Sequence, residues 1–186
     1  MKPFAPARFL ACLTSLVSLV SLVSLVSLVS LMPAAHAQTT APASPDVIRH
    51  RPAGSTFPIA SAVEVPAGRT LVFVSGAVPA VADPKAERGT LAAYGDTRTQ
   101  TLSVLANIER QLKGLGLGMG SVVKMQVFLV GDPAKGGRMD FDGFMSAYTE
   151  HFGTAAQPNL PARSVMQVAG LVVPGWLVEI EVTAVR

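Results

Sequence analysis

The chain has 186 residues, 49% of them hydrophobic, with 15 Lys and Arg against 12 Asp and Glu, three His and one Cys. That length suits one domain with a real core, and a lone cysteine, Cys12, excludes a disulfide framework and cysteine-ligated zinc. The formal charge of +3 falls to +1 without Lys2 and Arg8, and with no basic stripe or interleaved aromatics the composition argues against nucleic acid as a partner.

Residues 1–37 read as an export signal. Lys2 and Arg8 give a positive start, an apolar run with a Ser-Leu-Val repeat extends from Phe9 to Met32, and Ala35-His36-Ala37 forms a small-x-small cleavage site before Gln38. The run is also long enough to span a bilayer, so a retained anchor is the alternative. The repeated serines and the Ala-x-Ala exit favour cleavage, which puts the mature protein in the periplasm or outside the cell, free of the membrane. Residues 38–54, rich in Thr, Ala, Ser and Pro, are expected to form a flexible tail, and the folded domain is expected over 55–186.

Within that domain, Ala60 to Val65 and Thr70 to Ser75 are short β-branched runs separated by Pro66-Ala67-Gly68, which predicts a hairpin. The loop from Val78 to Tyr94 leaves room for one undefined element, read as a third strand before the first helix. Thr97-Arg98-Thr99-Gln100 matches a capping box, and Leu102, Leu105, Ile108 and Leu112 recur at helical spacing up to Gly114. The glycines from Gly114 to Gly120 follow a helix and precede a strand, the reverse of a phosphate cradle, so they predict a C-cap and turn. A strand is expected over Val122 to Val130, a turn over Asp132 to Arg138, and a second helix from Phe141, where Phe144, Met145, Tyr148 and Phe152 form an apolar stripe ending at Gly153. Two strands follow, Arg163 to Val168 and Trp176 to Val185, joined by the Pro174-Gly175 turn.

The strand faces carry information about assembly. Val123, Met125, Val127 and Leu129 make one face wholly apolar, against Lys124, Gln126 and Phe128 on the other. The last strand repeats the pattern, with Trp176, Val178, Ile180 and Val182 opposed to Leu177, Glu179, Glu181, Thr183 and Val185. Two helices cannot cover both faces of one sheet, so a second subunit is expected on the mixed face.

Few residues suggest chemistry. Arg163 stands at the start of a strand in a chain short of charge, and a guanidinium offers a two-pronged fork to a carboxylate; a plain surface charge is the bland alternative. Glu179 and Glu181 are two apart on a strand and share a face, where a polar rim or an ion pair with Lys124 is the bland alternative. His36, His50 and His151 are scattered, and no His-x-Glu accompanies a Cys-x-x-Cys, so neither a zinc centre nor a Ser-His-Asp triad is supported. No metal or cofactor is expected.

Taken together, Leu71-Val-Phe-Val-Ser75-Gly76, Asn107, Gly116 followed by Val122-Val-Lys124-Met-Gln-Val-Phe, Pro161-Ala-Arg163-Ser and Val178-Glu179-Ile-Glu181 resemble the Rid family of reactive-intermediate deaminases, the YjgF type. The resemblance implies an α+β fold: a chorismate-mutase-like sheet with two helices on one face, assembled as a homotrimer with sites in the clefts between subunits. It implies metal-free hydrolysis of small enamino or imino acids to keto acids and ammonia. Arg163 falls where the family grips the substrate carboxylate, Glu179 where a glutamate positions or protonates the attacking water, and Ser75-Gly76 at the strand end lining the pocket. Ile59 stands where many deaminase members carry tyrosine, Ala77 replaces a glutamine, Met145 an asparagine, and Val165 a cysteine of which the family uses only the backbone carbonyl. A non-catalytic trimer that binds a small carboxylate ligand or a protein partner in the same cleft is the alternative function.

Overall fold

The computed structural model describes residues 46–186; the export segment 1–37 and the tail as far as residue 45 lie outside the described residues. Four strands form the main sheet: β3 (Leu71–Ala77), β4 (Val122–Val130), β5 (Ala162–Val168) and β6 (Val178–Val185), in the order β3-β6-β4-β5. A second sheet pairs β1 (Ile48–His50) with β2 (Ala62–Glu64). The helices are α1 (Leu91–Tyr94), α2 (Thr97–Gly114) and α3 (Phe141–His151). None of the described helices is long and apolar enough to cross a membrane.

Chain direction explains why both long helices share a face. β3 and β4 are each antiparallel to β6, and β4 is parallel to β5, so the chain makes two parallel crossovers, through α2 and then α3, that step the same way across the sheet. Right-handed crossovers in one direction put both helices on one side. That side is the core: Val104, Leu105, Ile108 and Leu112 of α2 and Phe144 and Tyr148 of α3 lie against Met125, Val127, Leu129, Val178, Ile180 and Val182. The opposite face carries Lys124, Gln126, Phe128, Glu179, Glu181 and Thr183, which stay exposed or half-buried, and Phe73, which is 79% exposed.

Several expectations are corrected. The predicted hairpin does not form: β2 pairs with β1, and β3 pairs with β6 after the turn at Pro66–Gly68. The fold begins before residue 55, because Ile48–His50 is a strand rather than tail. Arg49 holds it in place, donating from Nη1 to the carbonyls of Val122 and Leu160 and from Nη2 to that of Gly120, each at 2.9 Å. Three backbone acceptors that a turn and a strand start leave open are thereby satisfied. The undefined element between Val78 and Tyr94 is the short helix α1, and β5 and β6 are not neighbours, since β4 lies between them. The glycine-rich stretch behaves as predicted, with Gly116 at φ +72° beyond the helix end and the Leu117 amide donating back to Leu112.

The N-cap of α2 is Asp96 rather than Thr97: its carboxylate accepts from the Thr99 amide at 2.8 Å. Gln100 therefore has a different task from closing a capping box. Fully buried, it donates to the carbonyls of Gly95 (2.8 Å) and Gly175 (2.9 Å) and accepts from the Leu177 amide (2.7 Å), tying α2 to the turn that launches β6. Replacing it by leucine strands these backbone groups, at about 1–3 kcal/mol for each one left unsatisfied. Gln100→Leu should lower the chemical-denaturation stability by on the order of 3 kcal/mol, and Gln100→Glu should lose at least as much, because it buries a carboxylate against the Gly95 and Gly175 carbonyls.

Candidate active site

Arg163 opens β5 opposite Met125 and so points to the helix side of the sheet. Because β5 is the edge strand, the core does not close over that position, and the guanidinium lies on the stripe of α3. Its carbon sits 4.1 Å from the ring centre of Tyr148, 5.1 Å from that of Phe144 and 5.6 Å from that of Phe57. Nη2 donates to the Met145 sulfur at 3.2 Å, and Nη1 is buried with no acceptor. No carboxylate pairs with Arg163 among the described residues.

The electrostatics are unusual for a protein cation. Burial pulls the pKa of Arg163 down, opposed by Tyr148 beside it, yet arginine stays charged at any ordinary pH. A half-buried charge without a counter-ion is costly; the aromatic faces offset this by roughly 2 kcal/mol, and a thioether is a weak acceptor. The group is therefore held in place while its strongest binding capacity goes unused.

Tyr148 is the floor of this arrangement. Its hydroxyl donates to the Pro58 carbonyl at 3.0 Å, which fixes the 57–60 stretch against α3. Ala60 then bridges to the start of β5, with its amide on the Pro161 carbonyl at 3.0 Å. Ile59 lies between Pro58 and Ala60 in this stretch, half-buried, and Val165, two residues along β5, shares the Arg163 side and packs on the core. Burial pushes the Tyr148 phenol up to about 12, against the opposing charge of Arg163.

Ser75, Gly76 and Glu179 gather elsewhere. The β3–β6 register runs Val74 to Val182 and then Ala77 to Ile180, so a bulge sets two residues, Ser75 and Gly76, against Glu181 alone. Ser75 faces outward, and Glu179 covers Gly76 so closely that an added Cβ would stand 2.0 Å from Oε1. Glycine is needed here for space: any side chain evicts the carboxylate. Alongside, Phe73, Ser75, Lys124, Gln126, Glu181 and Thr183 line an open hollow of 330 Å³ on the same face.

The sequence suggests that Arg163 and Glu179 touch one molecule, and within a single chain they do not. Arg163 is level with Met125 on the helix face, and Glu179 is level with Phe128 on the opposite face. Three residues along the strand and two strand spacings across separate their backbones by about 14 Å. One chain thus carries two separated groups of candidate residues: Arg163 with Met145, Tyr148 and Val165, and Glu179 with Gly76. Phe57 and Tyr148 escape sequence reasoning, the first in a loop without periodicity and the second because a helical aromatic stripe reads as core. Among the described residues no group of three or more His, Cys, Asp or Glu could hold a metal ion.

The two-helix crossover sheet with its uncompensated arginine defines a class. Residues 50–186 match the family described as Endoribonuclease L-PSP, and the chain belongs to this family, the Rid or YjgF family. A protein of unknown function of the conserved Rid family from Yersinia pestis is 25% identical, covering 76% of this chain and 98% of its own, with a TM-score of 0.56. A YjgF-family protein from Neisseria meningitidis is 27% identical over 76% of this chain and 95% of its own, with a TM-score of 0.45. A protein of unknown function from Pseudomonas aeruginosa is 31% identical over 75% and 92%, with a TM-score of 0.48. No curated protein matches the chain.

The raised Tyr148 pKa has a consequence for stability. Because the fold disfavours the phenolate, the unfolded chain ionises first, near pH 10; the contribution is intact below that pH and is lost as pH climbs towards about 12. The total loss from this group is on the order of 2 kcal/mol. Tyr148→Phe should start less stable, lacking the bond to Pro58, yet decline less between pH 10 and 12 in denaturant titrations.

Proposed function

We propose that the protein hydrolyses small 2-imino acids, and their enamine tautomers, to 2-keto acids and ammonia at a site shared by adjacent copies of a homotrimer. The single observation that carries this reading is the vacant guanidinium: Arg163 is fixed on an aromatic platform, with Nη1 buried and unpartnered and no acid beside it. A carboxylate supplies the bidentate, charge-assisted partner that this geometry lacks. Family membership supports the reaction class, and the mixed outer face gives the copies a surface on which to meet.

The chemistry follows from the two half-sites. Arg163 of one copy forks the substrate carboxylate and aims the adjacent imine carbon across the cleft. Glu179 of the neighbouring copy accepts a proton from water as the oxygen attacks that carbon, giving a tetrahedral amino-alcohol. The same carboxyl group delivers that proton to nitrogen, then passes the hydroxyl proton on to the amine, so that ammonia leaves as the carbonyl forms. Gly76 leaves the room the Glu179 carboxylate needs, and Ser75, next to it on the bulge, is the hydroxyl assigned to the water. Residues 1–37 suggest that this takes place in the periplasm or outside the cell.

The second reading is a carboxylate-binding trimer without turnover. It draws on the apolar surroundings of Arg163, where the Tyr148 hydroxyl is already committed to Pro58. Ammonia release from freshly generated imino acids separates the two, since binding alone releases none.

Mixing inactive variants tests the shared site. Arg163→Ala and Glu179→Gln should each lose at least about a hundredfold in kcat/KM. Unfolded together and reassembled at equal ratio, they should regain roughly a quarter of wild-type activity, because every mixed trimer rebuilds one intact site. Activity that stays at the level of the single variants contradicts a site built across copies.

A further inference from the structure

Every wall around the Arg163 guanidinium is apolar. Tyr148 and Phe144 lie beneath it, the Phe57 ring stands 5.6 Å away, and the Met145 thioether occupies Nη2. Ile59 follows Pro58 in the same stretch, half-buried, and the Tyr148 hydroxyl is spent on the Pro58 carbonyl. Phe57 stacks on Phe141, with ring centres 6.4 Å apart and planes within 13°, yet remains 41% exposed. A partly exposed aromatic ring thus stands beside the guanidinium proposed to hold a carboxylate.

We infer that among small 2-imino acids this wall selects those with an aromatic or branched aliphatic side chain over those with a short one such as a methyl group, and that Phe57 and Met145 are the residues that set the preference. The inference rests on the reading of Arg163 as the carboxylate anchor. A two-pronged carboxylate needs both Nη1 and Nη2, so it must displace the Met145 sulfur. Methionine has an unbranched, freely rotating side chain and a weak acceptor, so the charged oxygen wins that exchange. The displaced thioether then needs apolar company. A small acid offers none and leaves Phe57 facing water, whereas a phenyl or branched side chain fills the gap between Phe57 and Met145. Each methylene removed from water is worth about fourfold in affinity. A phenyl ring should therefore bring at least about tenfold after the cost of moving Met145.

The test is calorimetric titration of the purified protein with pyruvate, 4-methyl-2-oxopentanoate and phenylpyruvate, repeated on Phe57→Ser, Met145→Asn and Arg163→Ala. The expected result is phenylpyruvate at least tenfold tighter than pyruvate, the branched acid between them, and a ratio narrowed to below threefold in Phe57→Ser and in Met145→Asn. Pyruvate binding as tightly as phenylpyruvate, with both lost in Arg163→Ala, overturns the selectivity while the carboxylate anchor stands. Binding of any of these acids that is unaffected by Arg163→Ala, or no binding at all, removes the anchor and the selectivity with it. Because the wild-type ratio decides by itself, a variant that fails to fold does not rescue the inference.

Discussion

A guanidinium placed on three aromatic faces, denied a counter-ion and given only a sulfur to lean on, is the constraint from which the remainder of the site follows. Arg163 cannot relax into solvent, because Phe57 and the α3 stripe hold its stem and its head. Nor can it be neutralised internally, since no acid approaches it among the described residues. Placement at an edge strand makes this possible: one strand further in, the same side chain would be sealed in the core, where an unpaired charge is prohibitive. The fold thus keeps an uncompensated guanidinium at the margin of its hydrophobic core, and α3 supplies the floor.

Much of the architecture was legible because periodicity is a local property. The helical spacing of Leu105, Ile108 and Leu112, the alternation along Val122–Val130 and the two-faced strand ending the chain all reappear with boundaries close to those read from the residues. Pairing was not legible in the same way. β2 has the turn chemistry of a hairpin with β3, but Ile48–His50 captures it, and the decisive contact is Arg49 bonding to carbonyls 71 to 111 residues away. Such long-range satisfaction leaves no trace in composition, and Pro and Ala around residue 50 read as tail. Asp96 displaced Thr97 as the cap for a similar reason: Gln100 was needed at Gly175 and Leu177, which no local motif reveals.

The site shows the same division. Residue types pointed to Arg163, Glu179, Ser75 and Gly76; the structure sets the Glu179 carboxylate against Gly76, with Ser75 on the bulge opposite Glu181. What the sequence alone could not settle is the sheet order. With β6 between β3 and β4 and with β5 at the edge, register puts Glu179 on one face and Arg163 on the other. The open face then acquires a meaning beyond solubility. Phe73, Gln126, Phe128 and Thr183 present a surface with apolar and polar groups interspersed, the composition of an interface, and under the proposed reaction Arg163 finds its complement on another copy.

The most direct examination of this account is a crystal structure of the protein with 2-oxobutanoate, which keeps the carboxylate and carbonyl of the product. The account predicts a trimer in which the bound carboxylate forks onto Nη1 and Nη2 of Arg163, the Met145 sulfur has moved aside, and Glu179 of a neighbouring copy reaches the carbonyl directly or through one water. A ligand held entirely by groups of one chain, or an assembly that keeps every Arg163 remote from every Glu179, contradicts it.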